Sequence, residues 1–212
     1  VMCLDRGGLV GEDGVTHHGV FDMAAFGAVP GLTIAAPMNE PELRNMMYTA
    51  LESGHPFLIR YPRGHGEGLP WRGEPFEALP VGRGRRLREG EDVALVTVGT
   101  VGNAAARAAE RAAAGGVSVA HYDLRFAKPL DEVLLDEVGR RFRRVVTVED
   151  GSLRGGVGEA VAAFFNDRGY DAKVQRLGIG DEWVEHGTPE QLYALCGYDE
   201  EGILHALLNS GE

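Results

Sequence analysis

The chain has 212 residues and carries 21 Lys and Arg against 32 Asp and Glu, a net charge of −11. That excess of acid repels phosphate backbones and disfavours nucleic acid as a partner, while 44% apolar and 25% charged residues exclude a disordered chain. No apolar run approaches the ~20 residues of a membrane span, the N-terminal Val1–Arg6 carries no signal pattern, and Cys3 and Cys196 lie too far apart for a disulfide framework, which together predict a cytoplasmic protein.

In chain order, Val1–Leu4 reads as a buried strand already in progress, which predicts that the chain is cut from something longer. Thr16 is placed to cap a helix from His17 to Phe26. Leu32–Ala36 and Phe57–Arg60 read as strands. Between them Asn39 caps a helix with Pro41 in its first turn, and Gly54 stops it. From Pro62 to Pro80 the chain is rich in Gly and Pro without periodicity, as a linker would be. Strands at Val93–Val98, Val117–Tyr122, Val145–Val148 and Lys173–Leu177 then alternate with helices at Ala104–Ala114, Asp131–Arg141 and Gly158–Asn166. Helical segments at Thr188–Leu195 and Asp199–Leu208 follow. Such alternation predicts an α/β fold with parallel sheets, in two pieces. Residues 1–75 look incomplete, and residues 76–212 look whole.

Ligands of open parallel sheets bind beyond the carboxyl ends of the strands. Arg6 and Arg63 follow two such strands, and each precedes a glycine, Gly7 and Gly64. Two guanidinium forks at one rim suit a phosphate or carboxylate. Pairing with a local carboxylate such as Asp5 or Glu67 is the equal alternative. Asp13 lies in a Gly-flanked turn, and His17, at the start of the expected helix, would be kept neutral by the helix dipole and so be able to move a proton. A metal site from Asp13, His17 and His18 is a weaker alternative, and His18 fits a hydrogen-bonded structural role better. The glycine turns at Gly99–Gly102 and Gly155–Gly158 could cradle phosphate, but both lack the full dinucleotide spacing, and tight packing explains them better. Arg83, Arg85, Arg86 and Arg88 read as a solvated strand face.

The run Asp5-Arg6-Gly7-Gly8-Leu9-Val10-Gly11-Glu12-Asp13-Gly14-Val15-Thr16-His17-His18-Gly19 resembles the signature of the 1-deoxy-D-xylulose-5-phosphate synthases. Arg60-Tyr61-Pro62-Arg63-Gly64, Arg125-Phe126-Ala127-Lys128-Pro129-Leu130-Asp131 and Val184-Glu185-His186-Gly187 recur in the same order, so the resemblance spans essentially the whole chain. It implies the second half of a transketolase-like pyrimidine-binding domain over 1–75, and a linker with a complete transketolase C-terminal-like domain over 76–212. The family condenses pyruvate with glyceraldehyde 3-phosphate, losing CO2, with thiamine diphosphate and Mg2+, and supplies precursors of isoprenoids, thiamine and pyridoxal. A homodimer is implied as well. By position, Arg6 and Arg63 match the pair that holds the aldehyde's phosphate, and Asp13 and His17 match residues near its carbonyl, where His17 would handle protons. Asp123, Arg125, Lys128 and Glu149 are expected to serve packing or the domain interface. Gly8 is read as a mild departure from a commoner Ala.

Two departures matter more. The glutamate that activates the cofactor and the whole diphosphate-binding domain precede, in the family, the stretch that begins at Val1. No Gly-Asp-Gly metal motif occurs in the chain. This predicts no bound cofactor or metal and no turnover for the chain alone. The alternatives are a non-catalytic assembly subunit of a split thiamine enzyme and the β-type subunit of a 2-oxoacid dehydrogenase.

Overall fold

The computed structural model describes residues 1–209. Two sheets organise it. The first contains β1 (Met2–Leu4), β2 (Thr33–Ala35) and β3 (Phe57–Arg60), all parallel, with β3 in the middle. Its remaining edge is β7 (Phe126–Lys128), which arrives from the far half of the chain and pairs antiparallel with β2. The second sheet has the order β4-β6-β5-β8-β9. Here β5 (Val93–Val98), β6 (Val119–Asp123), β8 (Arg144–Ser152) and β9 (Lys173–Ile179) are parallel, and β4 (Arg85–Arg88) is an antiparallel edge. The expected α/β architecture with parallel sheets is what the chain adopts.

Strand β5 shows why its sequence is an unbroken apolar run rather than an alternating one. Val93 and Leu95 pack on one face with Ala105, Ala108 and Ala109 of α3 (Val101–Ala114) and with Ile203 of α7 (Glu200–Leu208). Ala94, Val96 and Val98 pack on the other with Leu135 and Val138 of α4 (Glu132–Arg141) and Val161 of α5 (Val157–Arg168). A sheet covered on both faces needs apolar side chains in both directions. The punctuation read from sequence holds for α2 (Glu40–Ser53). Asn39 Oδ1 accepts from the Glu42 N–H at 3.1 Å, and Gly54 ends the helix in the left-handed region at φ 65°.

Three expectations are corrected. Residues 17–21 are not helical, and α1 runs only over Asp22–Gly27. The preceding segment is drawn into a loop by reciprocal bonds of 2.8 Å between the Gly8 and Gly19 backbones, and the His17 N–H goes to the Gly14 carbonyl at 3.0 Å, so these donors are satisfied without a helix. The stretch from Pro62 to Pro80 has no regular structure but does not hang free. Along α2, Glu40 holds the Gly68 N–H, Arg44 holds the Trp71 and Glu74 carbonyls, and Thr49 Oγ1 holds the Leu79 N–H. The arginines in and just before β4 are not merely solvated either. Arg85 turns inward to Asp123 and Glu42, and Arg83 reaches Asp131.

That inward turn is part of a buried lock between the two halves. The Glu42 carboxylate takes Arg85 Nη2 and Arg125 Nε, each at 2.8 Å, and the Met38 N–H at 3.1 Å. Arg85 also bonds Asp123, whose Oδ1 accepts from the Arg125 N–H at 3.1 Å. Burial, and next the Glu42 charge, push Asp123 up to about 7 against the pull of the two arginines.

Candidate functional site

Strands β1 and β3 lie side by side in register, Leu4 opposite Arg60, and their carboxyl ends open on one rim. The backbone stays paired beyond the strands, with Tyr61 N–H to Leu4 O at 3.0 Å and Gly7 N–H to Tyr61 O at 2.9 Å. Arg6 and Arg63 therefore leave neighbouring strand ends. Arg6 takes the left-handed conformation at φ 58°, unusual for a side chain of its size, and Gly19 packs against its carbonyl so closely that a Cβ there would overlap it.

Beneath the rim, Arg60 is 4% exposed and holds three groups. Its Nε donates to Asp22 at 2.7 Å, and its Nη2 to the Gly19 carbonyl at 3.2 Å and the Asp150 carbonyl at 2.9 Å. Gly19, at the end of the loop, is thus fixed to the strand that precedes Arg63.

Of the four candidate residues, Asp13 and Arg63 are brought together as an ion pair between exposed side chains. The guanidinium of Arg6 pairs with its neighbour Asp5 at 3.3 Å. His17 lies in the turn after Gly14, with its Nδ1 3.0 Å from Thr16 Oγ1. It is not in the first turn of a helix, so the dipole argument for its neutral form does not apply. His18 is structural. Its Nδ1 accepts the Val10 N–H at 3.1 Å, which leaves Nε2 to face the Glu185 carbonyl at 3.5 Å.

Two buried acids, Asp150 and Glu149, hold backbone amides near the rim and at the start of α5. Asp150, 4% exposed, accepts from the Leu9 N–H at 3.0 Å and from the hydroxyls of Tyr198 at 2.9 Å and Tyr193 at 3.3 Å. Burial pushes its carboxyl up, and the Arg60 charge pulls it back. Gly8, at φ 83°, lies directly against this carboxylate, and a Cβ there would overlap it. Glycine at position 8 is therefore required, not a mild departure. Alanine fits better at Gly7, where a Cβ would come no nearer than 3.1 Å to Arg60. Glu149, expected to pack, caps α5 with both oxygens at 2.8 Å from the Val157 and Gly158 N–H groups. An internal carboxylate so fills the anion site that the glycine turn at 155–158 offered.

The model of the transketolase pyrimidine binding domain matches residues 1–67, and that of the transketolase C-terminal domain matches 82–203. The chain belongs to the transketolase family. Within it, the chain is 58% identical over 205 residues to the 1-deoxy-D-xylulose-5-phosphate synthase of Bacteroides fragilis, covering 96% of this chain and 32% of that protein. To the synthase of Bacteroides thetaiotaomicron it is 55% identical, covering 100% and 33%, and to that of Carboxydothermus hydrogenoformans 45%, covering 96% and 32%. The chain thus spans about a third of the length of these curated relatives. A solved structure described as "Split gene transketolase, inactive beta4 tetramer" superposes with a TM-score of 0.80 at 28% identity, over 97% of this chain and 63% of that one.

Thiamine diphosphate is what a transketolase-type family implies for the full-length enzyme. Among the described residues no group of three or more His, Cys, Asp and Glu side chains is placed to hold a metal ion. The α5 N-terminus that could face a diphosphate already carries Glu149. No described helix is long and apolar enough to cross a membrane.

Proposed function

We propose that the chain is the acceptor-holding part of a thiamine diphosphate-dependent 1-deoxy-D-xylulose-5-phosphate synthase, which joins pyruvate to glyceraldehyde 3-phosphate with loss of CO2. Arg6 and Arg63 bind the aldehyde's phosphate, Asp13 orients it, and His17 exchanges a proton near its carbonyl. The observation that carries this reading is the pair of arginines leaving adjacent parallel strands at one rim, with Asp13 already on Arg63. A guanidinium pre-oriented by a carboxylate meets a phosphate with its donors aligned, and exposure of both partners lets the phosphate compete for it. The names of the relatives support the reaction class. Cofactor and metal are held by a diphosphate-binding part that this chain's residues do not supply, and the chain alone does not turn over.

In the complete enzyme, Arg63→Ala is expected to raise KM for glyceraldehyde 3-phosphate about 10- to 100-fold, the effect of losing charge-assisted bonds. Use of unphosphorylated glyceraldehyde and the pyruvate-dependent step should change little. An unchanged preference for the phosphorylated acceptor overturns the assignment.

A second reading, an assembly subunit of a split enzyme, is favoured by the likeness to a split-gene transketolase chain described as inactive. Mixing the 212-residue chain with a separately made diphosphate-binding segment tests it. Activity restored on mixing supports a split subunit, and two inert parts that do not associate rule it out.

A further inference from the structure

We propose that Asp150 is a positioning residue for the loop between Arg6 and Gly19, so that the C-terminal half of the chain, through one buried carboxylate, sets the geometry of the phosphate site. The proposal rests on Arg6 and Arg63 being the phosphate's ligands, as argued above.

Leu9, whose N–H the carboxylate holds, lies 141 residues away in sequence and sits between Arg6 and Asp13. Two phenols, Tyr193 of α6 (Pro189–Leu195) and the nearby Tyr198, donate to the same carboxylate. All three partners are donors, the arrangement an anion needs where it has lost its water. The main chain of Asp150 repeats the connection, because its carbonyl takes Arg60 Nη2, and Arg60 also binds Gly19 at the loop's other end. One residue of β8 therefore fixes the loop beside Arg6 and, through Arg60, the end of the strand that leads to Arg63.

A second clasp from the same half bears on the loop's middle. The Gly187 N–H faces the Gly11 carbonyl at 3.4 Å, and a Cβ on Gly14 would come within 3.2 Å of His186. The loop is thus held along its middle from the C-terminal side. A loop built this way keeps its shape only while the buried carboxylate has its donors. Small displacements of binding groups are costly to catalysis, and about 1 Å suffices for a ~100-fold effect.

The test uses the complete enzyme for kinetics and the 212-residue chain for amide exchange. Asp150→Ala is expected to raise KM for the aldehyde phosphate about 10- to 100-fold, with pyruvate decarboxylation in the absence of acceptor unchanged. Asp150→Asn, which keeps an acceptor oxygen for Leu9, should recover most of the loss. Exchange of the Leu9 amide should quicken about tenfold or more in Asp150→Ala and stay at the wild-type rate in Arg63→Ala. Wild-type KM in Asp150→Ala, with or without faster exchange at Leu9, overturns the proposal. Should Asp150→Ala not fold, Tyr193→Phe/Tyr198→Phe replaces it, and an unchanged KM there counts against the proposal in the same way. An Arg63→Ala enzyme with normal KM defeats the phosphate assignment instead, and Leu9 exchange then still judges whether Asp150 holds the loop.

Discussion

Replacing Gly8 by alanine should destabilise the protein far more than the same change one residue earlier. At φ 83° an alanine is in the left-handed region, at a cost of about 1 kcal/mol. Its Cβ would also overlap the Asp150 carboxylate, which is buried and held by the Leu9 amide and two tyrosine hydroxyls, so the carboxylate must move off its donors. Hydrogen bonds to a charged group contribute about 1.5–3 kcal/mol each, and losing two of them brings the total to about 4 kcal/mol or more. That is a large part of the 5–15 kcal/mol typical of whole domains. Gly7 has no positive φ, and its Cβ would approach Arg60 Nε at 3.1 Å, which a shift of a few tenths of an ångström relieves. Gly7→Ala should fall within about 1 kcal/mol of wild type. Urea unfolding midpoints of the three proteins decide the matter. A Gly8→Ala protein within about 1 kcal/mol of wild type, or a Gly7→Ala protein that is the less stable of the two, refutes the packing described for Asp150.

Asp123, raised to about 7 from 3.8 by burial and by Glu42, keeps its proton in the folded chain at pH values where the unfolded chain has lost it. Its contribution to stability is therefore full below about pH 4 and declines as pH rises to about 7. Asp123→Asn should gain stability relative to wild type across that window, in urea titrations at several pH values. A gap that does not change with pH contradicts the burial argument. Glu149→Ala strips the acceptor from the Val157 and Gly158 amides and should lower stability by about 3 kcal/mol. A loss under about 1 kcal/mol by the same midpoints denies Glu149 its capping role.

Local signals in the sequence were reliable where local chemistry decides the structure. Asn39 and Gly54 bound α2 because one caps N–H groups and the other adopts a left-handed turn, and Asp131 caps α4 on the Leu134 N–H. The apolar run of β5 marked a sheet covered on both faces. What was not legible depends on partners distant in sequence. The Thr16 to Phe26 stretch has a capping residue and helical spacing, but the Gly8–Gly19 pairing and the Arg60 contacts to Gly19 and Asp22 win over that propensity. The passage of β7 into the first sheet leaves no mark in a three-residue strand. At the candidate site, the two arginines could be placed at one rim by counting residues from strand ends. Asp150 could not, since an acid after an apolar strand looks the same whether it faces water or holds a loop 141 residues away. Arg60 was hidden as the last residue of a strand, although burial makes it the link between that strand and the loop.

In the complete enzyme with glyceraldehyde 3-phosphate bound, difference density will locate the acceptor's phosphate directly. Phosphate oxygens are expected within about 3 Å of the guanidinium nitrogens of both Arg6 and Arg63, with Arg63 turned from Asp13 toward the phosphate. A phosphate bound elsewhere, with the Asp13–Arg63 ion pair intact, would contradict this expectation.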